Sequence, residues 1–385
     1  MTLTAAIGIA TGIDGRESAL QATHQALQKL GNLSPILGIV FATQEYGLRE
    51  VANGVGSLLG QTPFVGMSTT ALLSPDGLHS YSVLVALLAS TTAQAEAIWM
   101  PGYAQSAQET AQRLNAIVER TLSPQALLLF TDGFSGNIEQ LCNALSLPHL
   151  AIAGGLSSGN PNTLIGPVLA NLFQGSGALS AALLRGNLHT GIGYAHGWQS
   201  VGKQFRITRS RGFWLRTLDG RPASEAYAQL FGYAAREWSF PPLNTMARLY
   251  PLGMLQGEKT LVRSPIRVEA DGSFRLNLSI EEGSDALLLV GSQDACRQAL
   301  LDASLQARQA LGNSRPAFVL LLVDQAWNLL LRAFPGFEVK VVQEVFGKEI
   351  PIAGAYTLGQ IVPSEETPSH PQALNQHVVV MAFGE

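Results

Sequence analysis

The chain is poor in the residues on which several common classes of protein depend. Of its 385 residues only two are cysteines, Cys142 and Cys296, and they lie far apart in the sequence. Two cysteines provide neither a disulfide framework for a chain of this length nor a four-ligand zinc site. The seven histidines form no H-x-x-x-H or H-E-x-x-H pattern, so we expect no conventional metal site. The scarcity of cysteine also predicts a reducing compartment.

Charge is scarce as well. Charged residues make up 14% of the chain and the net charge is −4, against a usual charged share of about 25%. The most basic stretch, Lys203 to Arg211, alternates charged residues with Phe205 and Ile207, which is typical of a half-buried strand. We therefore expect a solvated strand face there and no nucleic-acid partner, since a phosphate backbone attracts clustered positive charge.

Targeting signals and long apolar runs are also missing. No stretch reaches the roughly 18 apolar residues that a membrane span needs. The first residues, MTLTAAIGIATG, show neither the basic start nor the apolar core of a signal peptide. We therefore expect a cytoplasmic protein with no membrane partner.

One catalytic sequence pattern occurs, but the residues that follow it do not predict the structure that the pattern requires. Gly155 to Gly159 spell GLSSG after an apolar stretch, which matches the G-x-S-x-G nucleophile elbow of serine hydrolases. An elbow must open a helix, whereas Asn160, Pro161 and Asn162 predict a turn. No nucleophile, base and orienting group are brought together by any motif, so we expect that the protein is not an enzyme.

Hydrophobic residues, in contrast, make up 46% of the chain, and 39 glycines and 19 prolines punctuate it. This composition predicts a compact α/β fold with two domains or one large one. The apolar pattern repeats three times as strand, helix, strand, a glycine with hydroxylated residues, and a further strand. The predicted segments are 37–43, 46–59, 63–66 and 81–88; 126–131, 137–145, 149–153 and 178–184; and 317–323, a helix after 325, 350–353 and 377–383. A strand at 5–10 and a helix at 15–30, capped by Asp14 and ended by Gly31, precede the first copy.

The glycine segments of the three copies are GMSTT at Gly66, GGLSS at Gly154 and GAYTLG at Gly354. Glycine lets the backbone turn sharply, so we expect turns at these strand ends. The turns either line a ligand pocket or only connect strands. Asp132 and Asp324 close strands at equivalent positions of two copies. A cap of the following helix or turn is the expected role, and a carboxylate facing a pocket is the alternative.

Residues 187–313 interrupt the repeat. They contain predicted strands at 202–208, 261–268 and 273–278, a helix near Glu225 and a strand-helix pair at 286–311. No proline- or serine-rich linker marks a domain boundary. We place the boundary just before LDGRPA, which divides the chain into regions 1–216 and 217–385 that pack closely.

The run GIGYAHGWQSVGKQFRITRSRGFWLRTLDGRPASEA, from Gly191 to Ala226, resembles the FIST family of sensory domains. The family's G-H-G-W-x-x-V-G and L-D-G-x-P-A stretches are met here by His196, Gly197, Trp198, Val201 and Gly202, then by Leu218, Asp219, Gly220, Pro222 and Ala223. Shorter matches follow in the family's order, among them YPLG at Tyr250, VRSP at Val262 and LNQ at Leu374. The resemblance covers nearly the whole chain as an N-terminal and a C-terminal FIST region. Met67 stands where the family usually has a cysteine, which disfavours a thiol-based role.

The resemblance implies a sensory protein that binds a small ligand, an amino acid being one class, and passes the signal to a separate partner protein. Some family members resemble haem-binding nitric-oxide sensors that act on a histidine kinase, which implies haem as a cofactor and His196 as its axial ligand. A structural role for His196 in its glycine-rich turn is the alternative. A third interpretation is a protein-recognition scaffold without a ligand.

The ligand site is predicted at the glycine segments. Hydroxyl groups and backbone N–H groups at strand ends orient small polar ligands, and arginine holds a carboxylate through two parallel hydrogen bonds. Arg263 is the candidate carboxylate clamp, with a surface role as its alternative. The candidate hydroxyl-bearing residues are Ser68, Thr69, Ser157, Ser158, Tyr356 and Thr357.

Overall fold

The protein is described by a computed structural model over residues 3–160, 163–257, 259–365, 367 and 370–385. Pro161 and Asn162, from the turn predicted after GLSSG, lie outside the described residues. Helices and strands alternate along the chain and build mixed sheets flanked by helices, which confirms the predicted α/β class. No helix in the described part of the chain combines the length and the apolar character that crossing a membrane requires.

The first structural unit contains two helices and six strands. Its elements are β1 (Thr4–Ala10), α1 (Gly15–Leu30), β2 (Leu37–Thr43), α2 (Leu48–Leu59), β3 (Phe64–Thr69), β4 (Leu72–Ser74), β5 (Gly77–His79) and β6 (Val83–Ala89). Helix α1 begins and ends as predicted, because the Asp14 side chain accepts a hydrogen bond from the Glu17 N–H at 2.8 Å and Gly31 adopts φ 69°.

The second unit repeats this plan. Its elements are β7 (Ala93–Met100), α3 (Ala107–Arg120), β8 (Pro124–Asp132), α4 (Ile138–Ala144), β9 (Ala151–Ser157), β10 (Val168–Ala170), β11 (Phe173–Gly175) and β12 (Leu179–Gly186). Short strand β10 crosses over to pair with β3, which joins the first two units.

The third unit opens with β13 (His189–Ala195) and is then interrupted by an insertion. The inserted elements are β14 (Trp198–Arg211), β15 (Trp214–Leu218), β16 (Arg221–Pro222), α5 (Ala223–Phe231), α6 (Leu243–Met246), β17 (Leu252–Gln256), β18 (Lys259–Arg263), β19 (Arg267–Val268), β20 (Phe274–Arg275) and β21 (Asp285–Gly291), with 3-10 turns at Ala235–Ser239 and Ala247–Leu249. The unit resumes with α7 (Gln293–Ala310), β22 (Pro316–Asp324), α8 (Gln325–Leu330), α9 (Phe337–Phe346), β23 (Ile352–Pro363), β24 (Pro371–Leu374) and β25 (Val378–Gly384).

The three units share one strand order. Their orders across the sheets are β1-β6-β2-β3, β7-β12-β8-β9 and β13-β25-β22-β23. In the first unit, β6 is antiparallel to both of its neighbours, β1 and β2, and β2 is parallel to β3. The other two units have the same arrangement. The predicted repeat is thus confirmed, and each copy begins one strand and one helix earlier than predicted. Strands β9 and β23 pair antiparallel and join units two and three into one sheet, whereas the insertion forms its own sheet, β18-β17-β21-β14-β15-β20-β19.

The predicted glycine turns are wrong. Strands β3, β9 and β23 continue through Gly66, Gly154 and Gly354, which lie opposite Val40, Leu129 and Leu321 of the parallel neighbour strand. A Cβ atom on Gly66 would lie 1.7 Å from the Val40 carbonyl oxygen, and one on Gly154 would lie 1.9 Å from that of Leu129. Close approach of backbone, not a turn, therefore requires glycine here.

Two strands predicted in the insertion are shorter than expected. The segment predicted as 261–268 divides into β18, which ends at Arg263, and the two-residue β19. Pro265 lies between them and has no N–H to donate to a sheet. Of the segment predicted as 273–278, only Phe274–Arg275 forms a strand. The predicted boundary at 216/217 falls inside β15 and stays a prediction.

Candidate functional site

Six of the predicted site residues meet where β3, β9 and β23 converge, which we call the strand junction: Ser68, Thr69, Ser157, Ser158, Tyr356 and Thr357. All six side chains are buried. The Ser158 and Thr69 hydroxyls both donate to the Tyr356 carbonyl oxygen, at 2.8 and 2.7 Å. The Ser157 hydroxyl donates to the Ser68 carbonyl oxygen at 2.6 Å. The junction thus joins all three units through side-chain hydrogen bonds.

The hydroxyls of Tyr356 and Thr357 also bond within the protein. The Tyr356 hydroxyl donates to Glu338 Oε1 at 2.7 Å, and Thr357 Oγ1 accepts from Gln360 Nε2 at 2.8 Å and donates to the Val323 carbonyl oxygen at 3.2 Å. Burial raises the pKa of Glu338, and the hydrogen bond from Tyr356 opposes that rise. None of the six junction residues lines a cavity described below.

The other two predicted residues, Arg263 and His196, line a cleft formed by two adjoining cavities. The histidine lobe measures about 370 Å³ and contains His196. The arginine lobe measures about 920 Å³ and contains Arg263. Four residues line both lobes: Gln256, Leu261, Gln372 and Leu374. Strands β17, β18 and β24 therefore line the boundary between the two lobes, and the insertion faces units two and three across the cleft.

In the arginine lobe, Arg263 lies beside Glu139 of α4. The Arg263 Nη2 atom is 3.6 Å from Glu139 Oε1, and the Arg263 side chain is only 11% exposed. Arg263 Nε donates to the Ser279 carbonyl oxygen at 2.6 Å, and the Ser279 N–H donates to Glu139 Oε2 at 2.9 Å. Burial lowers the pKa of Arg263, and the charge of Glu139 opposes that shift. A fixed cation and a fixed anion thus lie side by side, each tied to the same backbone segment.

In the histidine lobe, the rings of His196 and His377 meet edge to face with their centroids 4.9 Å apart. Burial, followed by the neighbouring His196 and Arg263, lowers the pKa of His377 to about 3. Burial also lowers the pKa of His196. Both shifts favour the neutral ring, because burial removes the solvation that an imidazolium ion needs, and a charge on His196 would disfavour a second one on His377.

A polar network closes the outer wall of the histidine lobe. The Tyr194 hydroxyl donates to Glu365 Oε1 at 3.0 Å and accepts from Gln372 Nε2 at 3.2 Å. Lys259 forms an ion pair with Glu365. This network, like the Arg263–Glu139 pair, presents both signs of charge to the cleft.

The residues around His196 do not fit haem. A haem ligand needs an available ring nitrogen and an apolar slot. His196 Nδ1 accepts a hydrogen bond from the Trp198 N–H at 3.3 Å, which places the ring proton of the neutral imidazole on Nε2, and the lobe is lined by Lys259 and Glu365. The geometry favours the structural role for His196.

Sequence reasoning missed most of the cleft. Glu139, Lys259, Glu365, Gln372 and His377 come from separate elements and belong to no recognised chemical motif. Only His377 carries a signal, since it directly follows the LNQ residues that resemble the FIST family. Tertiary packing alone brings these side chains together. Asp324, in contrast, takes the predicted cap role, accepting from the Ala326 N–H at 3.0 Å at the start of α8.

Comparison with solved structures gives weak likenesses over the full length. A chorismatase structure has a TM-score of 0.37 at 9% identity, covering 100% of this chain and 99% of that chain. A cyanuric acid hydrolase structure has a TM-score of 0.31 at 9% identity, covering 99% and 100%. The T. maritima PurL complexed with AMPPCP has a TM-score of 0.24 at 9% identity, covering 100% and 73%. Scores this low support no argument about function.

Comparison with protein families is decisive. No curated protein matches the sequence significantly. The model of the FIST N domain matches residues 36–221, and that of the FIST C domain matches residues 223–363. Together they span most of the chain, in the order that the sequence resemblance predicts. The protein therefore belongs to the FIST family of sensory signalling domains.

Proposed function

We propose that this protein senses a small zwitterion, an amino acid being the simplest class, in the arginine lobe of the cleft. The proposed role is binding without catalysis, in the cytoplasm, with the signal passed to a separate partner such as a histidine kinase. The observation that carries the proposal is the Arg263–Glu139 pair in a cavity of about 920 Å³.

The geometry of this pair suits a ligand that carries both charges. At 3.6 Å the closest approach of Arg263 and Glu139 is longer than a charge-assisted hydrogen bond. Each side chain is held instead by backbone groups, Arg263 by the Ser279 carbonyl oxygen and Glu139 by the Ser279 N–H. A ligand carboxylate on Arg263 and a ligand ammonium on Glu139 would replace a loose ion pair with two shorter contacts.

The same anchoring supports a route for the signal. Arg263 and Ser279 belong to the insertion, whereas Glu139 belongs to α4 of unit two. A ligand held by both charges contacts the insertion and unit two together, so it stabilises one relative arrangement of these parts over others. A partner that recognises that arrangement would respond to the ligand.

The proposal is tested by titrating the purified protein with the common amino acids by calorimetry. We expect saturable binding of at least one. Analogues of that amino acid that lack only the carboxylate or only the ammonium group should bind more weakly. Arg263→Gln and Glu139→Gln should each raise Kd by about tenfold to a hundredfold, because each removes a charge-assisted hydrogen bond worth about 1.5–3 kcal/mol.

The exposed Arg297–Glu344 pair provides matched controls of the same chemistry. Arg297→Gln and Glu344→Gln should leave Kd unchanged. Absence of binding by every amino acid would overturn the ligand class. Equal binding of the singly charged analogues would overturn the proposed role of the paired charges.

A further inference from the structure

A separate cavity of about 400 Å³ lies beside α6 and the start of α8, and it shares no lining residue with the cleft. Its wall contains Arg248, Arg267 and Gln325, together with Asn244 and Thr245. The residues described as lining it include two cations and no carboxylate. The proposed function in the cleft does not use this cavity.

Arg248 is the unusual group in this wall. It is only 6% exposed, and a buried charge is costly unless it is paired and hydrogen-bonded. Its Nη1 donates to Gln325 Oε1 at 2.5 Å and its Nη2 to the Ile266 carbonyl oxygen at 3.0 Å. A guanidinium has five N–H donors. Within the described residues Arg248 thus uses two of them, both on neutral acceptors.

The carboxylate that acts on Arg248 through space, Asp324, is hydrogen-bonded to other groups. Its oxygens accept from the N–H groups of Ala326 and Gln376 at 3.0 and 2.9 Å and from Gln360 Nε2 at 3.3 Å. Burial lowers the pKa of Arg248, and Asp324 only opposes that shift. The guanidinium is therefore left with unused donors beside an open cavity.

Two further features of the wall suit an anion. The Asn244 side chain accepts from the Thr245 hydroxyl at 3.2 Å through Oδ1, which leaves its amide N–H groups available within the described structure. Arg267 adds a second positive charge and pairs with Glu269 only at 3.5 Å. Guanidinium and amide donors around one cavity match the acceptor oxygens of a phosphate or carboxylate group.

We propose that this cavity is a second ligand site, which binds the oxyanion group, phosphate or carboxylate, of a small molecule on Arg248. The bound oxyanion accepts hydrogen bonds from the N–H groups of Arg248 and Asn244 that have no acceptor among the described residues. Its negative charge also compensates the positive charge of Arg248, which the neutral acceptors Gln325 and Ile266 cannot do.

The test is calorimetric titration with sodium phosphate and with sodium acetate, with sodium chloride at the same ionic strength as the reference. We expect saturable binding of at least one oxyanion, and the tighter of the two identifies the chemical class. Arg248→Ala risks misfolding because the residue is buried. Gln325→Glu instead places a carboxylate on Arg248 in nearly the same volume. It should raise Kd by about tenfold or more while the melting temperature stays equal or rises.

Gln94→Glu adds the same charge on the exposed face of β7 and should leave oxyanion binding unchanged. No binding beyond that of chloride overturns the proposal. Binding that Gln325→Glu does not weaken, or that Gln94→Glu weakens equally, places the anion elsewhere and also overturns it.

Discussion

The strand junction and the cleft contain the two halves of one predicted site, and they differ in how their polar groups are satisfied. At the junction, the hydroxyl groups of Ser158 and Thr69 donate hydrogen bonds to the carbonyl oxygen of Tyr356. In the cleft, Arg263 and Glu139 face an open volume and approach each other only to 3.6 Å. The same residue types that orient ligands also hold strands together, and the available volume distinguishes the two roles.

The difference follows from what each region must join. The junction lies where strands of the three units meet, and the buried hydroxyls of Thr69, Ser157, Ser158, Tyr356 and Thr357 find their hydrogen-bond partners within the protein. The cleft lies between the insertion and the repeated units, where a cavity borders charged side chains that are only partly exposed, Arg263 at 11% and Glu139 at 25%. Changes at the junction should therefore alter stability, and changes in the cleft should alter binding.

The largest effect at neutral pH is expected at Gly66, in β3 two residues before Ser68 of the strand junction. Gly66→Ala places a methyl group 1.7 Å from the Val40 carbonyl oxygen, so β2 and β3 must move apart. We expect a loss of about 3 kcal/mol or more in the free energy of unfolding, measured by urea denaturation. Gly102→Ala is the control, because Gly102 has open space around it. Equal stability of the two variants would contradict the close approach.

A smaller loss is expected from Ser158→Ala. The Thr70 N–H then loses its acceptor at 3.1 Å, and the Tyr356 carbonyl oxygen loses one of its two side-chain donors. The expected cost is about 1–3 kcal/mol, with ligand affinity unchanged, and Ser146→Ala on the surface should cost far less. A Ser158→Ala protein of normal stability and weakened ligand binding would reverse the comparison and return the site to the junction.

The histidine lobe should make stability depend on pH. His377 has a folded pKa of about 3, below the roughly 6.5 of an unfolded histidine. The unfolded chain therefore binds the extra proton between these values, and stability is lost as pH falls from about 6.5 towards 3, by up to about 1.4 kcal/mol per pH unit. His377→Gln should flatten this slope in denaturation curves collected across that range. His24→Gln, at an exposed position, should retain the slope; a wild-type slope in His377→Gln would contradict the assignment.

The smallest effect is expected from Lys259→Ala at the rim of the cleft. Lys259 and Glu365 are 56% and 60% exposed, and exposed ion pairs contribute about 0.2–1 kcal/mol. Thermal denaturation should show a loss within that range that disappears at about 1 M salt, where screening is strong. A larger loss that persists in salt would show that the rim, like the junction, is structural.

Much of the fold was readable from the residues. Asp14 and Gly31 mark the ends of α1, and the threefold recurrence of apolar segments predicts three similar units. The glycine segments were misread because a glycine that lets strands approach closely and a glycine that turns the chain look alike in one sequence. In the structure, Gly66 and Gly154 differ from a turn glycine such as Gly31, which has φ 69°, in their strand backbone and in the carbonyl groups beside them, which belong to β2 and β8.

Local patterns, then, established the α/β class, the repeat and the FIST membership, since periodicity, caps and motif order act over neighbouring residues. Position in space decided the rest. Thr69 and Ser158 became buried hydrogen-bonding groups, while Arg263 gained a partner 124 positions earlier in the chain, at Glu139. Whether a side chain faces a cavity or a carbonyl group depends on elements that meet only after the three units and the insertion have packed, and no run of neighbouring residues records that meeting.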